Sequence, residues 1–467
     1  MKKIAFVVAL LLVLVLASAM SAPKLIGDQA HQQYLKIFDE YPVGMSGITF
    51  EHKSYEQSWF SAEAVTVVKI PVGKPLAKSI NVVLTSHIGH GPLVSTDKGM
   101  AVGLAYVKSK VTFTDLPEPL QKLVNQYLPA GTITTASLID FKEGSKDDAH
   151  VGSINFGKDK FKGVFGGLNI SGVSKLDYSM MQGKIEMPAS HFGDDNFSLD
   201  IATASGSYDQ HKQPVMMMML GKADMVFPQI KAVAKQGSVT LEDFKIASNS
   251  EEQSGKLNMA ASFGIGKITA PIPVTAFQYD MEIKQIDAKA IELWGEISRD
   301  MRAQPPDPAL FLTNPKLNRF VEVLLQKDLA LNQHLTLDGM GGRLKIDWET
   351  RFAGLPEGVH LETLADKSQL VKALDMHVVV SIDEKALLAS PMAAMAEPYI
   401  QKGMLVKQDD KLVSDIKLAL GVLTVNGIPV PLPTESDGKQ EQPGAAPVAP
   451  ATPAPSRMTP GRRMKRG

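Results

Sequence analysis

The chain has no cysteine in 467 residues. That excludes disulfide staples, thiol redox chemistry and thiolate metal sites. A body of this length does not need staples, because its size lets it bury its own core. A dominant charge is also missing, with 49 basic side chains against 50 acidic ones. Nucleic acid is therefore not an expected partner, since binding it depends on a basic footprint. No G-x-S-x-G elbow occurs, and Gly339-Met340-Gly341-Gly342 has neither the lysine of a phosphate loop nor a helix after it, so it reads as a hairpin turn between Leu335 to Leu337 and Leu344 to Ile346. No catalytic residue, metal ligand set or cofactor motif is predicted.

What is present begins at the first residue. Met1-Lys2-Lys3 is basic, Ile4 to Ala17 is unbroken apolar sequence, and Ala17-Ser18-Ala19 is a small-x-small cleavage site. No charge appears until Lys24, so the stretch from Ile4 to Pro23 is just long enough to cross a bilayer. Residues 1–22 read as a signal peptide or signal-anchor, with the lysines favouring a cytoplasmic start. The body is expected outside the cytoplasm, in a bacterial envelope, with the membrane as a partner through this segment.

Beyond it, alternation with a period of two dominates. Ala64 to Ile70, Ile80 to Thr85, Gly131 to Ile139, Ser198 to Ala204, Gly237 to Phe244, Lys256 to Phe263 and Tyr279 to Lys284 all read as strands with one buried face. The short spacings leave no room for crossover helices, so antiparallel meanders are expected. Helical spacing marks Asp28 to Asp39, inside a juxtamembrane region 23–46, and returns at Ala288 to Met301, Asn314 to Leu329, Leu364 to Leu374 and Met392 to Met404. The expected fold is α+β, mainly antiparallel β in an extended curved sheet. A β-rich region spans 47–287, an α+β region 288–432, and a Pro/Ala-rich basic tail 433–467 has too little apolar mass to fold.

Three short motifs, taken in order, resemble the YdgA-like family of bacterial envelope proteins. Tyr55-Glu56-Gln57-Ser58-Trp59-Phe60-Ser61-Ala62 is similar to its aromatic-to-serine entry into the first strand, with Tyr55, Phe60 and Ser61 as motif positions. His90-Gly91-Pro92 is similar to its "HGP" after the second strand, and Asn426-Gly427 to the turn of its closing repeat. The resemblance implies an exported or inner-membrane-anchored protein facing the periplasm, with homo-oligomerisation open, and brings no established activity.

His87 and His90 are spaced to chelate zinc from a helix face, but Gly89, Gly91 and Pro92 favour a turn holding a hydrogen-bonded His90. Asp147-Asp148 and Asp194-Asp195 lack calcium-loop spacing and read as solvated turns. Met216, Met217, Met218 and Met219 would put adaptable apolar side chains on both faces of a strand. That is either a covered central strand or an apolar groove for a lipid or partner, by analogy with groove-type lipid handlers such as the AsmA-like group. The expected role is non-enzymatic binding or scaffolding, and the alternative is a hydrolase acting on envelope lipid or polymer.

Overall fold

Most strands that follow one another in this chain pair with one another, and among the described residues every pairing in the sheet is antiparallel. A computed structural model describes residues 26–39, 48–71, 79–158, 160–213, 218–271, 274–303, 315–354, 371–390 and 392–431. Helix α1 (26–39) comes first. β1 (Thr49–Gln57), β2 (Ser61–Pro71) and β3 (Ser79–His90) then pair in sequence. A small hairpin, β4 (Leu93–Thr96) and β5 (Gly99–Val102), intervenes before β6 (Ala105–Thr114) pairs back onto β3. Helix α2 (Glu118–Tyr127) leads to β7 (Ile133–Ile139) and β8 (Gly144–Val151), which extend the sheet.

The next strands are each broken in the middle. β8 gives way to β9 (Ile154–Lys158), β10 (Phe161–Phe165) to β11 (Leu168–Lys175), β12 (Met181–Met187) to β13 (Ser190–Gly193), and β14 (Phe197–Ile201) to β15 (Ala204–Gln213). The breaks fall at Gly152-Ser153, Gly166-Gly167, Pro188-Ala189 and Ala202-Thr203, and they line up as a crease. Close approach of backbones explains the glycines. A Cβ on Gly166 would lie 2.2 Å from the Ala189 carbonyl oxygen. Gly167 has a φ of 107°, a conformation that favours glycine. The two halves rejoin on β16 (Met218–Ala234), whose first part pairs with β15 and whose last part pairs with β14. Pro228, which has no N–H to give a ladder, stands between them.

From β16 the meander is uninterrupted through β17 (Gly237–Gln253), β18 (Lys256–Thr269) and β19 (Val274–Asp287). Helices α3 (Ala288–Ala303) and α4 (Pro315–Leu324) follow, and β20 (Ala330–Gly339) then pairs directly with β19, so the sheet continues across them. β21 (Gly342–Phe352) and β22 (Leu374–Asp383) extend it. After α5 (Glu384–Leu388), α6 (Ala393–Gln401) and the short β23 (Val406–Gln408), β24 (Lys411–Ala419) docks on β22. β25 (Val422–Val425) and β26 (Ile428–Val430) close the run. The fold is α+β and mainly antiparallel β.

The sequence reading departs from this at identifiable places. α2 is an unforeseen helix inside the strand-rich region. The Asn314–Leu329 helix is realised as Pro315–Leu324, and most of Leu364–Leu374 lies outside the described residues, with Leu374 itself opening a strand. The Gly339–Gly342 hairpin is present, with φ of 54° at Met340 and 76° at Gly341. Positive φ at both central residues is what a two-residue strand connection requires.

Three helical covers sit on the sheet. α1 buries Ala30 and Tyr34, four residues apart on one helix face, against Ala62, Ala64, Ile88, Leu104 and Ile139. α3 and α4 pack over Leu220, Leu257 and Ile286 at one end of the middle strands. α5 and α6 pack over Leu412 and Ile382 at the other end.

Candidate functional site

Successive side chains of a strand point to opposite faces, so strand register decides which residues share a surface. One line of directly opposed residues runs Tyr55, Ala64, Ser86, Ser109, Thr135, Ala149, Ile170, Ile185, Gly206, Met225, Ile246, Phe263, Tyr279, Leu335, Ile346, Val380 and Ser414. It crosses the molecule from β1 to β24. Two residues further along β16, a parallel line reads Phe227, Phe244, Ile265, Phe277, Leu337, Leu344, Ile382 and Leu412.

The line displaced by one residue is polar. It reads Glu63, His87, Lys108, Ala136, Asp148, Ser171, Lys184, Ser207, Asp224, Ala247, Ser262, Asp280, His334, Asp347, Val379 and Asp415. The sheet is thus amphipathic over its whole width, with the helices α1, α3–α4 and α5–α6 all on the apolar side.

Those covers do not close the apolar side. Between α3–α4 and α5–α6, Ile246 keeps 43% of its surface exposed, and Met259, Phe263 and Trp348 are also exposed. The rings of Phe227, Phe244, Phe263 and Phe277 form a chain of contacts with centroids 5.4, 4.9 and 5.9 Å apart. Aromatic ladders of this kind stabilise a sheet. They do not require this much exposure. The open apolar floor is the candidate functional site.

Residues 1–433 match the model of a family described as a bacterial protein of unknown function, DUF945. The chain belongs to that family. No curated protein and no solved structure matches it. The YdgA-like resemblance read from the short motifs is consistent with DUF945.

In this DUF945 chain the histidine pair is not a turn. His87 and His90 both lie in β3, three residues apart and so on opposite faces. His87 is exposed and its Nδ1 meets Glu63 Oε1 at 2.6 Å, whereas His90 is 3% exposed beneath the start of α1. The turn itself is at Gly91-Pro92, and neither ring nitrogen of His90 has a hydrogen-bond partner among the described residues, contrary to expectation. Burial pushes the His90 pKa down. The Trp59 backbone, which falls short of hydrogen-bond geometry, and Asp28 pull weakly the other way. Beside it, Tyr55 stacks on His31 with centroids 3.7 Å apart, and burial, reinforced by Tyr34 and Asp28, pushes the Tyr55 phenol up to about 12. Phe60 and Ser61 stand at the entry to β2, where the Phe60 carbonyl accepts from the His90 N–H at 2.8 Å.

Asn426 and Gly427 form the β25–β26 turn with φ of 50° and 78°. Of the methionine run, Met216 and Met217 lie outside the described residues. Met218 and Met219 open β16 half-buried, and Met218 packs against the cluster under α3 and α4. Asp147-Asp148 is likewise no turn. Both residues lie in β8, where Asp147 accepts from Ser145 and Ser174 at 2.8 and 2.7 Å and Asp148 pairs with Lys98 at 3.0 Å. Asp194-Asp195 does sit in a turn, where Asp194 accepts the Asn196 and Phe197 N–H groups.

The histidine–carboxylate contacts His191–Asp200, His334–Asp347 and His377–Asp415, at 2.6 to 2.8 Å, are cross-strand pairs at the surface. Exposed pairs of this kind contribute little to stability. None holds a serine among the described residues, and no three metal-binding side chains converge there. A depression of about 580 Å³ on the polar side is lined by Lys222, Asp224, Asn249, Ser262, Asp280 and Glu282, in which one lysine stands against three carboxylates. No helix of the described residues is long and apolar enough to cross a membrane, and residues 1–25 are not among them. The open floor was missed from sequence because alternation gives each strand two faces without saying which strand lies opposite which.

Proposed function

We propose that this protein is exported, held at the periplasmic face of the inner membrane through residues 4–22, and binds the acyl chains of an envelope lipid on its apolar sheet face without catalysing a reaction. The observation that carries this reading is the in-register apolar floor left open between two helical covers. Ile246, Met259, Phe263 and Trp348 stand in water on one contiguous face. Leaving such a face open forgoes roughly 25 cal/mol for each Å² of apolar surface that could have been covered. An acyl chain laid along the floor recovers that term. It needs no placed polar group, and the Tyr279 hydroxyl on the floor is already donated to Gln333 at 2.7 Å.

The test is native mass spectrometry of the detergent-extracted full chain, with lipid extraction alongside. Wild type is expected to carry lipid. Phe263→Glu should lose it and stay folded, because a charge on an exposed floor position keeps its water. Leu257 is fully buried under α3. Leu257→Glu should therefore unfold the protein, since an unpaired buried charge costs several kcal/mol. Lipid-free wild type, or lipid retained in Phe263→Glu, would remove the reading. The anchor is checked separately: the protein should stay in membranes through alkaline and high-salt washes, and a mature N-terminus near Met20 would count against it.

A further inference from the structure

A second set of exposed apolar side chains lies away from the floor, at the end of the sheet where α1 begins. Gly27, in the first turn of α1, rests against Gln57 and His90 with no space for a Cβ, and Gln57 Nε2 donates to Asp28 Oδ1 at 3.2 Å. The helix start is thereby fixed to the ends of β1 and β3. Three adjacent loops meet at that end. The β1–β2 turn carries Trp59 and Phe60, and Phe60 is 59% exposed. Next, the root of the β4–β5 hairpin presents Leu93 and Val102 as directly opposed residues, with Val102 72% exposed while Val94 faces inward and is buried. The root is joined to the sheet by Gly91 N–H to the Leu104 carbonyl at 2.8 Å and Gly103 N–H to the Pro92 carbonyl at 3.1 Å. Leu104 N–H in turn donates to the Ile139 carbonyl at 2.8 Å, and the turn just after Ile139 exposes Phe141.

Trp59, Phe60 and Phe141 in turns, and Leu93 and Val102 at the hairpin root, all leave large apolar surface in water. Their position has a common denominator in the chain itself. Only residues 23–25 separate the apolar segment ending at Ala22 from the described start of α1. So short a connection, even fully extended, reaches on the order of 10 Å. We propose that this end of the sheet, bearing Trp59, Phe60, Leu93, Val102 and Phe141, rests in the interfacial layer of the bilayer that holds residues 4–22. The proposal rests on the membrane-anchor part of the reading above. Tryptophan suits the headgroup level, where its ring meets both apolar and polar surroundings, and phenylalanine and leucine suit the acyl boundary just beneath it. Both signs of charge occur beside them: Glu56 precedes the β1–β2 turn, Lys142 and Glu143 follow Phe141, and Asp28 is brought to this end by its bond from Gln57. Docking is therefore apolar, needs no anionic lipid and is insensitive to salt.

The absence of cysteine makes the test direct. Val102→Cys, Phe141→Cys and, at the start of β17, Val239→Cys are each made in the full chain, labelled with a nitroxide and reconstituted in phosphatidylcholine vesicles. Power saturation with oxygen and with a water-soluble nickel chelate reports depth. The ratio of oxygen to nickel accessibility is expected to be several-fold higher at positions 102 and 141 than at 239, and unchanged by salt. Equal ratios at all three sites in protein that sediments with the vesicles would overturn the docking surface and leave the anchor standing. Shielding of 102 and 141 from both reagents would mean that a second copy or another protein covers them, which also overturns it. Protein that fails to associate with vesicles defeats the anchor and this inference together.

Discussion

His90 is a neutral ring in a place where a charge would be costly. Burial lowers its pKa and that of His52 from the ordinary 6.5, and His52 Nδ1 also lies 3.0 Å from Thr66 Oγ1 beneath α1. Both groups bind fewer protons folded than unfolded, so stability rises with pH. Their contribution is complete above about pH 6.5 and is lost as pH falls from there toward the depressed folded values. Thermal unfolding followed from pH 7.5 to 5 should show a falling midpoint, with a shallower fall in His90→Gln; identical slopes would assign the acid sensitivity elsewhere. Gly91 is restricted by space and not by φ, because a Cβ there would sit 1.8 Å from the Gly103 carbonyl oxygen. Gly91→Ala should cost about 3 kcal/mol or more, as overpacking against backbone does. At Gly89 an added Cβ finds its nearest neighbour at 3.9 Å. Gly89→Ala should change stability by no more than about 0.5 kcal/mol in the same denaturation series.

Among elements, α1 is held to the sheet by a polar seam beneath its apolar face. Tyr34 OH lies 2.9 Å from Thr66 Oγ1 and 3.3 Å from Ser86 Oγ, and Ser86 continues to Ser109 at 2.8 Å, all of them buried. Tyr34→Phe should destabilise by about 1 kcal/mol, because Thr66 and Ser86 keep partners in His52 and Ser109; chemical denaturation measures it. The helix itself was legible, since Ala30, Tyr34 and Phe38 recur at helical spacing. So were most strands and the Met340-Gly341 and Asn426-Gly427 turns, which rest on local chemistry. The crease was not. Ser198 to Ala204 reads as one continuous strand, and it breaks at Ala202-Thr203 because Gly166-Gly167 and Pro188-Ala189 fall on the same line in neighbouring strands. Nothing in the immediate sequence carries that information. The His87–His90 pair misled for a related reason: glycine and proline after a strand look like a turn that contains its last residues.

For the whole molecule, the uneven distribution of buried residues governs where it opens first. The largest cluster lies under α1, a smaller one under α3 and α4, and the β24–β26 end is thin. Amide hydrogen exchange should be slowest in β2, β3 and β6, and fastest in β25 and β26, in separate steps; uniform protection would show a single cooperative unit. The antiparallel meander has one more consequence. From β17 to β21 a strand meets only its sequence neighbours, and direction alternates at each step, so an even number of these strands can be removed without reversing any that remain. Deleting β17 and β18 would bring Phe227 opposite Phe277, with β16 and β19 still antiparallel and the apolar side intact. The breadth of the floor is then a matter of how many hairpins the gene encodes, and chains of this architecture can lengthen or shorten by whole hairpins while keeping the same two faces.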